Sequence, residues 1–372
     1  MRRVSVCSYF LAGIFLCSAP HLHSQTTANP DISLIPRFRF QSSDAGTGFN
    51  APQFVLDELE LAVQAYVNPY ARGDVFLAKA GMGDEPLEVE EAYATFLRGL
   101  PMDLNIRIGK YRAEFGKLNM LHPHAWPFIT MPLSLARFLG NDGLNDLGAN
   151  FSFLIPTGDI VYTRLSVDAL RGGGLSSIDS RGGMTSGGAA LFDTLGRSPH
   201  WAMAGRLMSF VPVGENSDLE VGLSGLTGIH DPYRSLRFVY GALDFKYKWK
   251  PDGYTSLTMQ GEALENVRSV ASESGATADR TTFGYYLFCD WQFSKSYSIG
   301  VRIDQSEAPY SADDRASGLS LFAGFYPVEE TTAFRLEVQR LVLNIPGRPE
   351  STATNVALQF MFSMGPHKAH PF

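Results

Sequence analysis

Cysteine, long apolar runs, helical periodicity and positive charge are all scarce in this chain of 372 residues. Of the three cysteines, Cys7 and Cys17 lie near the start and only Cys289 lies in the body. An exported chain of this kind holds no internal disulfide. Beyond the first 20 residues no apolar run reaches 18, which excludes a bundle of membrane-spanning helices. It does not exclude a membrane, because β-barrels cross with short alternating strands. Acidic residues outnumber basic ones, 38 to 31, for a net charge of -7. A general nucleic-acid binder is normally basic, so no nucleic-acid partner is expected. Disorder is excluded as well, since aromatic and branched residues run through the whole length.

The first residues read as an address. Met1-Arg2-Arg3 is a basic start, and Val4 to Cys17 has the length of a signal-peptide core. Leu22-His23-Ser24 precedes an expected cleavage site before Gln25. Residues 1–24 are therefore expected to be a signal peptide, and residues 25–372 a single domain. Removing the signal takes Arg2 and Arg3 and no acid, so the remaining chain is the more acidic.

That domain alternates with period two. Val239, Gly241, Leu243, Phe245, Tyr247 and Trp249 oppose Tyr240, Ala242, Asp244, Lys246 and Lys248. Tyr297, Ile299, Val301 and Ile303 oppose Ser298, Gly300, Arg302 and Asp304. The runs last about ten residues, which a strand tilted by about 45° needs to cross a hydrocarbon core. Sixteen strands are expected, near 32–43, 53–68, 71–82, 86–98, 103–114, 145–156, 159–172, 200–212, 218–230, 234–250, 254–269, 279–293, 297–308, 317–327, 332–343 and 352–364. Short turns such as Asn68-Pro69-Tyr70 and Pro251-Asp252-Gly253 alternate with longer connections, notably 115–144 and 173–199. The pattern predicts an all-β fold: a transmembrane antiparallel β-barrel of about 16 strands, with short periplasmic turns and long extracellular loops. Closure satisfies every backbone group in lipid and removes the free edges. A bacterial outer membrane is the expected location, with membrane lipid and the barrel-assembly machinery as partners. A homotrimer is one assembly that this reading admits.

The loop near 117–143 is too apolar for full solvation. It carries His122-Pro123-His124-Ala125-Trp126-Pro127-Phe128 and then Met131-Pro132-Leu133. It is expected to fold inward, with His122, His124, Trp126 and Phe128 as constriction residues; packing on the rim is the alternative. Inward-facing charges are Arg37, Arg39, Glu58, Glu60, Arg107, Asp244, Lys246, Lys248, Asp290, Arg302, Asp304, Arg335 and Glu337. Both signs occur, so they suit wall salt bridges, with Arg37 and Arg39 beside Glu58 and Glu60 on the next strand. No ion selectivity follows. His122 and His124, two residues apart, are weak metal-ligand candidates, as are His367 and His370 near the end. With no acidic cluster beside them in the sequence, no metal site and no cofactor are expected.

Several stretches carry a resemblance. Glu90-Glu91-Ala92-Tyr93-Ala94-Thr95-Phe96 is followed by Arg107-Ile108-Gly109-Lys110-Tyr111-Arg112, Phe115-Gly116, the histidine stretch, and Gly143-Leu144-Asn145-Asp146. Over residues 53–156 and the last strand the chain resembles a family of bacterial outer-membrane porin-like proteins, distantly similar to the phosphate-selective porins. The resemblance implies a sixteen-stranded barrel with a loop folded into its pore. It carries no substrate, because the mixed charges depart from the lysine and arginine ladder of phosphate-selective porins. Phe372, Phe360 and Phe362 are the candidate aromatic assembly signals.

Passive diffusion of small polar solutes or ions is the function expected. An enzyme is not, because His200 and His230 sit at strand ends with no motif around them. A plugged receptor needs far more chain. The alternative is an uptake or binding protein for a metal or other ligand, using the histidine loop and lacking a pore open at rest.

Overall fold

A computed structural model describes residues 30–366 apart from 46–47, 82, 84–85, 159, 173–200, 232–235, 272–275 and 329–330. The expected signal peptide, His200, His367, His370, Phe372 and most of the glycine-rich connection before β8 lie outside the described residues.

Sixteen antiparallel strands close into one barrel. They are β1 Asp31–Ser43, β2 Gln53–Asn68, β3 Ala71–Lys79, β4 Glu88–Phe96, β5 Asn105–Arg112, β6 Asn145–Ile155, β7 Tyr162–Leu170 and β8 Ala202–Pro212. There follow β9 Ser217–Asp231, β10 Leu236–Trp249, β11 Ser256–Ala271, β12 Thr277–Ser294, β13 Tyr297–Ala308, β14 Ser311–Val328, β15 Thr332–Asn344 and β16 Ser351–Phe362. Each strand pairs with its sequence neighbours, and β1 pairs with β16 to close the ring. Leu34 and Met364 extend that seam by exchanging two hydrogen bonds of 2.9 Å.

Two sequence expectations need correction. β14 begins at Ser311, ahead of the expected residue 317. Its first turn, Ser311-Ala312-Asp313-Asp314-Arg315, is polar on both faces and so shows no alternation. A strand end that projects past the lipid meets no hydrocarbon on its outer face and needs no alternation. For the same reason the outer connections are not uniformly long. Only Pro309 and Tyr310 separate β13 from β14. The chain gains height by lengthening strands there, not loops. β12 and β14 have 18 residues each and β5 has 8. At about 3.4 Å per residue these are roughly 60 and 27 Å long. One wall is therefore tall, and the wall of β3 to β7 is low.

The outer face is apolar. Leu243, Leu223, Leu321 and Ile299 are each more than half exposed and point to lipid. Stacked rings cross the seam from Phe293 through Tyr297, Phe325, Phe334 and Phe360 to Phe38 and Phe54, with centroids 4.9 to 6.4 Å apart. Belts of this kind hold a barrel at the interfaces. Leu243→Arg, in the middle of β10, is expected to cost about 2–4 kcal/mol, the penalty of a cation at bilayer mid-depth. A denaturant midpoint measured in lipid vesicles checks this.

The inner face is polar on most strands, but β10, β12 and β14 break the rule. Phe238, Tyr240, Tyr286, Phe288 and Phe322 point inward and are almost fully buried. They form an apolar bed inside the barrel, and the loop after β5 lies on it.

Candidate functional site

Residues 113–144 leave β5, cross the lumen and return to β6. The neck of this loop is tied by Asn119. Its side chain accepts the N–H of Leu144 at 2.7 Å and donates to the carbonyl of Ala113 at 2.9 Å. At the start of the loop Gly116 takes a φ of 63°, a left-handed conformation that suits glycine. There the chain meets the β9–β12 wall. Gly116 N–H donates to Ser224 Oγ at 3.0 Å, and Glu262 Oε1 accepts from Lys117 and Leu118 N–H at 3.1 and 2.6 Å. Lys117 Nζ pairs with Glu220 at 2.6 Å.

Further along, Phe128 is fully buried between Phe288 and Phe322, at centroid distances of 5.3 and 5.8 Å. Trp126 packs beside it at 5.9 Å. The Arg302 guanidinium lies 4.3 Å from the centre of the Phe128 ring. Arg302 also donates to Thr130 O at 2.6 Å, to Thr130 Oγ1 at 2.8 Å and to Asp304 at 2.8 Å. Glu337 accepts the N–H groups of Ile129 and Thr130 at 2.6 and 2.9 Å and the Thr130 hydroxyl at 2.6 Å. Helix α1, Leu133–Leu139, then lies against β12, β13 and β14, and Asp304 accepts its first N–H at 3.1 Å. Phe138 stacks on Tyr240 at 5.9 Å.

On the opposite wall the loop meets β2 and β4 through its histidines. His122 Nε2 lies 2.6 Å from Glu91 Oε1, and its Nδ1 lies 3.1 Å from Glu60 Oε2 and 3.5 Å from Glu90 Oε2. His124 Nδ1 is 3.2 Å from the same Glu60 oxygen. Burial pushes the His122 imidazole down, but the carboxylates of Glu60, Glu90 and Glu91 beside it outweigh burial and hold it well above its ordinary value. These contacts overturn the expectation that no acidic group adjoins the histidines. The sequence places Glu60 and Glu90 far from them, and the pairing of β2 to β5, with the loop folded back over those strands, brings the groups together.

The other sequence candidates are dispersed over the inner wall. Arg37 pairs with Glu58 at 2.9 Å. Arg39 pairs with Asp57 at 2.9 Å, not with a glutamate as expected. A bulge in β2 causes this, since the β1–β2 register slips between Arg37 and Phe38 and Asp57 becomes an extra residue. Arg107 lies over the rings of Tyr93 and Tyr111, and Asp244 pairs with Arg206 at 2.5 Å. Arg335 donates to the carbonyl of His124 at 2.8 Å. Lys246, Lys248 and Asp290 line a space beside β10–β12. Sequence reasoning missed Arg112, Arg206, Glu220, Glu262 and the inward aromatics of β10, β12 and β14. The aromatics carried a signal, because they interrupt a face that is otherwise polar.

The loop divides the space that remains. A cavity of about 430 Å³ lies toward the low wall, lined by Arg72, Arg107, Arg112, Lys117, Arg164 and Arg206 together with Glu60, Glu91, Glu114 and Glu220. A second, of about 250 Å³, lies toward β10–β12 and carries Lys246, Lys248 and Arg335 against Asp290. A third, of about 280 Å³, holds Glu58, Glu88, Glu90 and Asp142 with Lys110.

No family model matches the chain. An uncharacterized protein of Aquifex aeolicus (strain VF5) is 28% identical over 339 residues, covering 86% of this chain and 70% of that protein. The fold is similar to the outer membrane channel DcaP of Acinetobacter baumannii, with a TM-score of 0.60 at 12% identity over 91% of this chain and 99% of that one. It is also similar to the anion-selective porin from Comamonas acidovorans, with a TM-score of 0.58 at 8% identity over 90% and 99%. The chain thus has the sixteen-stranded porin-like fold. A closed barrel with an apolar belt belongs in lipid, and in bacteria that lipid is the outer membrane.

Proposed function

We propose that the protein is a passive diffusion channel, constricted by residues 113–144, that passes small polar solutes and favours anions. The observation that carries this is the division of charge between loop and wall. Glu262, Glu337 and Asp304 are occupied in holding loop N–H groups. Arginines and lysines outnumber carboxylates among the residues that line the cavities of about 430 and 250 Å³. In the first, Arg72, Arg112, Lys117, Arg164 and Arg206 are paired with carboxylates, so the excess rests on Arg107; in the second it rests on Lys246, Lys248 and Arg335. A lining of one sign favours ions of the other. The mechanism needs no bond chemistry, and no residue is assigned a catalytic part.

A reversal potential in a planar bilayer under a KCl gradient tests the selectivity. The expected sign is that of chloride permeation, reduced in Arg107→Gln. A potential of the cation sign contradicts it. Assembly is proposed through the low wall, because a wall short of the lipid thickness is covered well by a neighbouring copy. The mass of the detergent-solubilised protein, set against a trimer, checks that reading.

A further inference from the structure

The corner between β2 and β4 holds more negative charge than its arginines match. Glu58 is neutralised by Arg37, and Glu90 by Arg112. Glu60, between them, is 2% exposed, and its ion contacts among the described residues are His122 and His124. Glu60 Oε2 and His122 Nδ1 are both sealed from solvent and make no hydrogen bond, although they stand 3.1 Å apart. His124 Nδ1 approaches the same oxygen to 3.2 Å. One carboxylate oxygen and two ring nitrogens thus converge on one point from two separate elements.

We propose that Glu60, His122 and His124 form a binding site for a divalent transition-metal ion, zinc by its ligand set, which clips the loop to β2. The spacing suits the ion. Ligands at about 2.0–2.1 Å around a tetrahedral zinc stand about 3.3 Å from one another, close to the separations seen here. The surroundings suit it too. His122 turns Nε2 to Glu91 at 2.6 Å and leaves Nδ1 for the ion. A carboxylate behind a ligating histidine fixes its tautomer and raises its basicity. Nitrogen donors disfavour magnesium and calcium, which take oxygen ligands. Three protein ligands leave a fourth position, on the side of the cavity of about 430 Å³ that Glu60, His122 and His124 line.

The site does not depend on the chain conducting, so it is tested without a bilayer. The folded full chain in detergent is stripped with chelator and dialysed against Zn²⁺, then against Co²⁺ as a spectroscopic probe. Binding at this site is expected with excess Mg²⁺ present, with the visible absorption of a tetrahedral cobalt centre. Glu60→Gln and His124→Gln are each expected to weaken it at least about tenfold, and Glu91→Gln to weaken it less. Heat-modified gel mobility shows that each variant is folded. Zinc binding that is equal in the parent and in folded Glu60→Gln and His124→Gln overturns the proposal and points to the other histidines. X-ray absorption of the zinc-loaded parent decides the matter without any variant. A first shell containing imidazole and carboxylate is expected, and a shell of oxygen alone, or no bound zinc, overturns the proposal.

Discussion

Replacing residues 118–139 by a short glycine-serine linker is expected to raise single-channel conductance several-fold and leave the barrel folded. The strands do not need the loop, because every ladder from β1 to β16 is closed by strand partners alone. The lumen is narrowed by it. Phe115, Leu118, Trp126, Phe128, Leu135 and Phe138 pack in the bore against Phe238, Tyr240, Phe288 and Phe322. Taking them out replaces a packed apolar constriction by water and merges the cavities of about 430 and 250 Å³. The aromatic bed is then wetted, which costs stability but opens no strand. Planar-bilayer recording checks the conductance, and gel mobility with and without heating checks the fold.

Arg302→Ala is expected to release the loop from the β13–β15 wall at a cost of about 3–5 kcal/mol in docking, the usual penalty for removing one partner of a buried ion pair. The side chain is fully buried and serves five groups: Asp304, Glu337, Ser320, Thr130 and the Phe128 ring. Its loss strands Asp304 and Glu337 together without a cation. The cation–π contact is the smaller part, at about 2 kcal/mol when desolvated. Arg302→Lys is expected to recover only part of the loss, since an ammonium cannot reproduce the guanidinium fork. Amide exchange across 113–144 reads the effect directly. Faster exchange there, with β13 and β15 unchanged, is the expected pattern. Protection equal to that of the parent would show that Arg302 does not hold the loop.

Much of the barrel was legible in the sequence because lipid outside and water inside force a period of two. Val239 to Trp249 and Tyr297 to Asp304 show it plainly, and their faces point as the alternation requires. The pattern fails where that contrast fails. The start of β14 is polar where Asp314 meets Arg137 of the loop and polar on its outer face, so its first residues read as loop. The bulge at Asp57 is silent, because one extra residue changes the face without changing composition. The site was legible only in part. Loop apolarity pointed inward, and the structure places His122, His124, Trp126 and Phe128 inside the barrel. The anchors were not legible, because Glu262 and Glu337 reach the loop from across the barrel, and Glu60 and Glu91 from β2 and β4 beside its stem, all remote in sequence from the residues they hold. No local spacing records a contact that strand pairing and the inward fold of the loop create.

The loop seated in the lumen is proposed to leave a narrow aqueous path. Single-channel recording of the intact chain, with neutral polymers of graded size added to the bath, tests it most directly. Small ohmic steps are expected, with only the smallest polymers entering, and larger steps that admit larger polymers once residues 118–139 are replaced. A folded barrel that never conducts, or one whose conductance and polymer cut-off ignore that replacement, contradicts it.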